Sequence, residues 1–253
     1  MNNFTISTWN VGSLYANIER NIPIFKENLQ KAPADFFCMQ EFPDNPRDLD
    51  EVKRITGLSH HMYWVTSHSH VDTEHDMGVL LLSRYPLTFE EEIQLPKPTV
   101  EVSHDGKKEE WHDKSFFAVS FTAGEQPFLI VTGHGFPFHR YGLENEAGKS
   151  VMAPSFEALD LFFDSMKEKH PDKKLFSAAD FNITSPLAFM PLTSASMVDV
   201  FHGEPTRPSG RKTDAIILPH DAVLLSKRTV ISPLQSDGKG CFDHHLISAS
   251  FSF

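Results

Sequence analysis

The feature that most constrains this chain is a repeated one: apolar stretches that each end on an Asn, Glu, His or Asp. Four are Trp9-Asn10, Gln40-Glu41, Gly133-His134 and Asp180-Phe181-Asn182. A fifth polar stretch, Cys241-Phe242-Asp243-His244-His245-Leu246, runs into a closing strand at Ile247–Phe253. A strand that is apolar along its length and polar at its tip is how α/β enzymes build sites, with a rigid scaffold and chemical groups at its rim. Any one such residue alone reads as a helix cap or turn residue. The argument rests on their recurrence.

The periodicity between these tips alternates helix and strand. Phe4–Trp9 reads as a strand. Asn17–Lys31 reads as a helix, because Ile18, Ile22, Phe25 and Leu29 recur at spacings of three and four, with Pro23 in or near its first turn. Asp35–Gln40 is a buried-type strand, Arg47–Thr56 a second helix stopped at Gly57, and Met62–Thr66 and Met77–Ser83 strands around the polar loop Ser67–Asp76. From Leu87 to Val131 the pattern is strand and hairpin. Asp105-Gly106 is a turn signal between Thr99–Ser103 and Phe116–Phe121, and Ala123-Gly124-Glu125 turns into Pro127–Thr132. A third helix spans about Pro154–Lys169. Strands follow at Lys174–Ala178, Ala215–Leu218, Ala222–Leu225 and His245–Phe253, with short helical or irregular pieces around Pro186–Leu192. Many hairpins and few crossover helices favour an α/β sandwich of mixed sheets over a doubly wound parallel sheet. No linker or repeat divides residues 1–253, which read as one domain with an aromatic core, since 22 residues are Phe.

A net charge of −11 argues against a long nucleic-acid footprint, which needs clustered Lys and Arg. It leaves small phosphorylated substrates open, because a metal supplies positive charge locally. Two cysteines, Cys38 and Cys241, without a CxxC spacing argue against a disulfide framework or a cysteine zinc site. The first residues have no signal-peptide form and no apolar run reaches membrane-spanning length, so a monomer in a reducing cytoplasm is expected, without membrane insertion.

Asn10, Glu41, Asp180, Asn182 and Asp243 together make an oxygen-rich pocket, which suits Mg²⁺ or Mn²⁺ and not Zn²⁺. Glu41 is the chief candidate ligand, held at the end of Phe36-Phe37-Cys38-Met39-Gln40. His134 and His244 are candidate donors to a phosphate, whose transition state carries charge on its non-bridging oxygens. A histidine works only when oriented, so each needs a carboxylate partner: Asp214 is one candidate, Asp76 or Glu74 another. His60, His61, His68, His70 and His75 read as solvated histidines of a polar loop and its flank, with no catalytic role for His68 and His70.

The set resembles the endonuclease/exonuclease/phosphatase superfamily of metal-dependent phosphoesterases. Its blocks occur in family order: Thr8-Trp9-Asn10-Val11, Met39-Gln40-Glu41, Gly78 to Pro86, Val131-Thr132-Gly133-His134, Ala179-Asp180-Phe181-Asn182, Lys212 to Ile216, and Phe242-Asp243-His244. The resemblance implies a four-layer α/β sandwich, two mixed β-sheets packed face to face and flanked by helices. It implies Glu41 as the metal-binding glutamate with Asn10 beside it, and His134 as the phosphate-contacting histidine. Asp180 and Asn182 match the residues that orient the attacking water and the phosphate. Asp243 and His244 match the closing pair, with Asp243 counted among the metal ligands, and Asp214 matches the aspartate that holds the histidine. Asp180 is the chosen general base and His244 the alternative. Ala179, Phe242 and Leu246 depart from the usual glycine, serine and proline, and no close match to one subfamily remains.

The reading is a divalent-metal-dependent hydrolase of phosphoesters, a phosphodiesterase acting on a small or single-stranded phosphorylated substrate. The alternatives are a DNA or RNA nuclease and a catalytically silent binding member of the same fold. Arg207 and Arg211, in the basic loop Glu204–Lys212 that leads into Asp214, are assigned to a second phosphate or polar head group of the substrate.

Overall fold

The computed structural model describes residues 2–12, 14, 18–68, 76–231, 233 and 241–253. The first half alternates β1 (Asn3–Asn10), α1 (Ile18–Lys31), β2 (Phe36–Pro43), α2 (Pro46–Thr56), β3 (His60–His68) and β4 (Asp76–Ser83). A hairpin-rich middle follows: β5 (Thr88–Gln94), β6 (Val102–His104), β7 (Lys107–Glu109), β8 (Ser115–Ala123) and β9 (Gln126–Gly133). The remainder is α3 (Lys149–Lys169), β10 (Lys174–Asp180), α4 (Pro191–Ser194), β11 (Met197–Asp199), β12 (Asp214–Pro219), β13 (Val223–Val230) and β14 (Leu246–Ser252).

Two six-stranded sheets form, in the orders β13-β14-β1-β2-β4-β3 and β11-β12-β10-β9-β8-β5. Each has one parallel pair at its centre, β1 with β2 and β9 with β10, crossed over by α1 and α3, and every other pairing is antiparallel. Strand side chains alternate between faces, and here both faces are buried. Phe4, Ile6, Phe36, Cys38, Val79 and Leu81 of the first sheet meet Phe117, Val119, Phe128, Ile130, Phe176, Ile216 and Leu218 of the second. The alternate residues Trp9, Phe37, Met39, Leu80 and Leu82 pack under α1 and α2. Phe116, Leu129, Val131, Leu175, Ala215 and Ile217 pack under α3. Helices, sheet, sheet and helices are therefore the four layers, joined by a phenylalanine-rich centre.

The structure corrects several expected boundaries. The third helix begins at Lys149, more than a turn before Pro154, which lies inside it. Proline removes one backbone donor there, but burial of Met152 on one side of it and Phe156 on the other carries the helix through. The Asp105-Gly106 turn joins β6 to β7 in a separate two-stranded sheet and does not bring Thr99–Ser103 against Phe116–Phe121. β8 is buried along almost its whole length and takes β5 and β9 as neighbours, which the polar Lys107–Glu109 segment cannot replace. β13 runs on to Val230, and the short β11 was not anticipated. His60, His61 and His68 belong to β3, while His70, His75 and Glu74 lie outside the described residues. Among the described residues no helix is long and apolar enough to cross a membrane, and both cysteines are free and buried.

Phe176 is fully buried between the sheets, against Phe4, Phe36, Phe121 and Phe251. Phe176→Ala is expected to cost about 3–5 kcal/mol, read as a lower midpoint of urea unfolding at unchanged slope. A loss under about 1 kcal/mol would contradict its place in the inter-sheet core.

Candidate active site

The two parallel pairs run their C-terminal ends to one edge of the sandwich. β1 delivers Asn10, β2 delivers Glu41, β9 leads into His134 and β10 ends at Asp180. Their antiparallel neighbours begin at that edge: β12 starts at Asp214, in register with Asp180, and β14 starts just after His244. Residues far apart in sequence therefore meet in one cleft of about 750 Å³, lined by Asn10, Glu41, His134, Asn182, Asp243 and His244 among others.

The backbone is bent where these groups are aimed. Glu41 has φ of 54° at a register shift between Gln40 and Phe42, so its carboxylate turns into the cleft. A non-glycine residue there is strained, which is characteristic of functional positions. Gly12 leaves the room: a Cβ on it would lie 1.9 Å from Glu41 Oε2. Asn182 has φ of 56°, and its N–H donates to Asp180 Oδ1 at 2.8 Å while its Nδ2 donates to the Gly135 carbonyl at 3.0 Å.

Asp180 Oδ2 is the centre of the arrangement. Asn10 Nδ2 donates to it and to Glu41 Oε1, both at 3.0 Å, while Asn10 Oδ1 accepts from the Gly12 N–H. Asn10 is thus a donor bridging two carboxylates. His134 Nε2 lies 3.5 Å and His244 Nε2 3.7 Å from that same Asp180 oxygen, and Glu41 Oε1 is 3.7 Å from His134 Nε2. The two histidines converge as expected, and Asp214 Oδ2 accepts from His244 Nδ1 at 2.9 Å. The Trp9 indole donates to the His244 carbonyl at 3.1 Å, fixing that turn to the first sheet. Asp180, Asp214 and His244 offer atoms within 4.8 Å of one another and could hold a metal ion.

Burial pushes Asp180 well above the usual carboxylate range, and the neighbouring Asp214 charge adds to this. Burial alone would lower His244, but Asp214, Asp243 and Asp180 outweigh it and raise the ring to about 9. In the other direction, burial and then the Arg207 charge lower His139 to about 4.

Asp243 is more exposed than the rest and outside the metal-capable trio. Arg207 grips it, with Nη2 2.7 Å from Asp243 Oδ2 and Nε 3.0 Å from its carbonyl. Arg207 Nη1 also donates to His139 Nε2 at 2.9 Å, and His139 Nδ1 reaches the Asn182 carbonyl at 3.4 Å. A polar chain from Asp243 to Asn182 thus closes one wall, with Arg211 exposed on the same cleft. His139, Tyr141, Trp111 and Lys114 line the cleft without having been singled out in the sequence. Lys114 directly precedes β8, the strand antiparallel to β9, at the edge where His134 emerges.

Two mixed sheets with carboxylates and histidines at their shared strand ends define the class, an α/β sandwich of the phosphoesterase type. The sequence profile of the Endonuclease/Exonuclease/phosphatase family matches residues 7–248, and the chain belongs to that family. The fold is similar to that of the human Nocturnin catalytic domain with bound sulfate anion (TM-score 0.67, 14% identity, 99% of this chain and 93% of that one). It is similar to D. rerio TDP2 complexed with single strand DNA product (TM-score 0.62, 16% identity, 100% of each chain). A mannosyl-6-phosphatase of Bacteroides thetaiotaomicron is also similar (TM-score 0.64, 15% identity, 99% of this chain and 100% of that one). No curated protein matches the sequence.

In the metal-free protein His244 is expected to titrate near pH 9, followed by NMR of its ring protons, and Asp214→Asn to bring its pKa down. An unchanged titration in that variant would contradict the pairing.

Proposed function

We propose that this protein hydrolyses phosphoesters with a divalent cation, Mg²⁺ or Mn²⁺, as a phosphodiesterase of a small or single-stranded substrate. The observation that carries the reading is the meeting of Glu41, His134 and His244 from both sheets at one cleft, around the buried Asp180 carboxylate. The residues fit a hard cation. Glu41 is turned inward by strained backbone, and Asp180 is buried among like charges that a cation would relieve. Glu41 would hold the ion, with Asn10 linking it to Asp180; Asp243 is drawn toward Arg207 and would join from the rim. The bound cation would stabilise charge on the phosphate and lower the pKa of attacking water.

The protein groups divide the remaining work. His134 and His244 donate to the non-bridging oxygens, where charge develops. Asp214 orients His244 and keeps its Nε2–H facing the phosphate. Asp180, steadied by the Asn182 N–H, accepts the proton of the attacking water, and Asn182 orients the phosphate. Arg211, with Arg207, faces a second phosphate or polar head group, although the Arg207 fork is already shared with Asp243. The single strand DNA product on D. rerio TDP2 supports a single-stranded substrate, and the Bacteroides mannosyl-6-phosphatase supports a compact phosphate ester. The acidic net charge of −11 disfavours long duplexes.

The test is turnover of bis-p-nitrophenyl phosphate, short single-stranded and duplex DNA, RNA, and sugar and inositol phosphates with Mg²⁺. Excess EDTA and Glu41→Gln are each expected to bring turnover to background, and Arg211→Ala to raise KM on the best natural substrate but not on the minimal diester. Full activity in EDTA or in Glu41→Gln contradicts the reading, and long duplex DNA as best substrate contradicts the substrate class.

A further inference from the structure

Tyr63 lies on β3, two strands away from Glu41, and does not line the cleft. The mechanism above leaves it unused. In register it stands opposite Leu80 of β4. Its hydroxyl nevertheless reaches across β4 to β2, where it donates to the Phe42 carbonyl at 2.9 Å. The Asp76 carbonyl, 3.5 Å away, is the more distant acceptor. The path is open because β4 has a glycine there: a Cβ on Gly78 would lie 2.9 Å from Tyr63 Cζ and 2.1 Å from the Trp64 carbonyl oxygen. A backbone carbonyl only accepts, so the hydroxyl is the donor in this bond.

The carbonyl it holds belongs to the residue that ends the β2 bulge. Gln40 pairs with Val79 and Phe42 with Gly78, which leaves Glu41 as the extra residue between them. Glu41 carries the bend, with φ of 54°. A bulge re-aims the side chain it carries, and a non-glycine residue in the left-handed region persists only where its surroundings over-determine it. On one side of Glu41 the Val11 N–H donates to the Gln40 carbonyl at 2.9 Å. On the other the Tyr63 hydroxyl holds Phe42. Pro43 follows and has no N–H to give the ladder, so at this end of β2 the side-chain bond counts for more. The chain is thus pinned on both sides of the residue that turns.

We propose that Tyr63 is a positioning residue that clamps the β2 bulge through the Phe42 carbonyl and thereby holds the Glu41 carboxylate where it takes the divalent cation. The inference rests on the reading above of Glu41 as the ion's ligand. Tyr63 acts through the backbone and not on the substrate. Without its hydroxyl the bulge relaxes toward ordinary strand geometry, the carboxylate turns away from the Asn10 amide that now holds it, and affinity for the ion falls while the phosphate-facing groups stay in place.

The test compares the full chain as wild type, Tyr63→Phe, Tyr85→Phe and Glu41→Gln. Tyr63→Phe removes one oxygen and keeps the ring. Tyr85→Phe removes a hydroxyl from a ring that packs against the inter-sheet core, and serves as the control. Electron paramagnetic resonance reads Mn²⁺ binding without substrate, and amide hydrogen exchange reads the segment 40–43. Tyr63→Phe is expected to weaken Mn²⁺ binding by about 10-fold, the lower end for groups that support metal ligands, and to speed exchange in that segment; Tyr85→Phe is expected to do neither. With bis-p-nitrophenyl phosphate, the Mg²⁺ concentration for half-maximal turnover should rise by the same factor in Tyr63→Phe, while kcat at saturating Mg²⁺ stays within about twofold of wild type. A general loss of structure would lower kcat at every Mg²⁺ concentration. Wild-type Mn²⁺ affinity in Tyr63→Phe overturns the proposal, as does unchanged exchange across the bulge. A kcat that stays low at saturating Mg²⁺ also overturns it, because Tyr63 then serves folding or catalysis and not the ion. If Glu41→Gln binds Mn²⁺ as wild type does, the reading of Glu41 fails and the proposal with it. If wild type binds Mn²⁺ through Glu41 but hydrolyses no phosphoester, the functional reading alone fails, and affinity and exchange still decide what Tyr63 does.

Discussion

Everything in this protein depends on one topological constraint, a single parallel strand pair at the centre of each sheet. Parallel neighbours must be joined by a crossover, and α1 and α3 provide it. The crossovers leave the C-terminal ends of β1, β2, β9 and β10 at one edge, and antiparallel partners return their starts to the same edge. Asp180 opposite Asp214 in the β10–β12 register is the direct consequence. The inter-sheet phenylalanines then bring the two sets of strand ends together, so that Asn10 of the first sheet can donate to Asp180 of the second at 3.0 Å. Packing between sheets and assembly of the site are one event.

That assembly has a conformational cost at the two places where chemistry demands it. Glu41 and Asn182 both have positive φ, and both are held by their surroundings. Glu41 sits in a bulge with Gly12 clearing its path. Asn182 is fixed through Asp180, Gly135 and Thr213. Strain that neighbouring contacts over-determine is pre-organisation: side chains are aimed before ligand arrives.

Much of this was legible in the sequence because period-two burial on both faces produces long apolar strands with abrupt polar ends. Glu41 after Phe36–Gln40 and His134 after Val131-Thr132-Gly133 were visible in that way, and the Asp214–His244 bond was anticipated from a short block. Less visible was anything set by pairing across the chain. The Asp105-Gly106 turn was recognised but its partner strand was not, because a turn fixes its own hairpin and says nothing of what lies beyond. Lys114 was missed because its meaning comes from the β8–β9 register, which no local pattern encodes. Asn10 stands in the sequence as a ligand candidate; its oxygen accepts from the Gly12 N–H, and its nitrogen donates to both Glu41 and Asp180, a linkage no local pattern encodes.

The central claim is that both sheets contribute to one metal-dependent phosphate site. The most direct measurement is anomalous diffraction from crystals grown with Mn²⁺ and inorganic phosphate. The account predicts a manganese peak within about 2.0–2.2 Å of a Glu41 carboxylate oxygen, with phosphate between that ion and the Nε2 atoms of His134 and His244. A peak away from Glu41, or phosphate bound without either histidine, would contradict it.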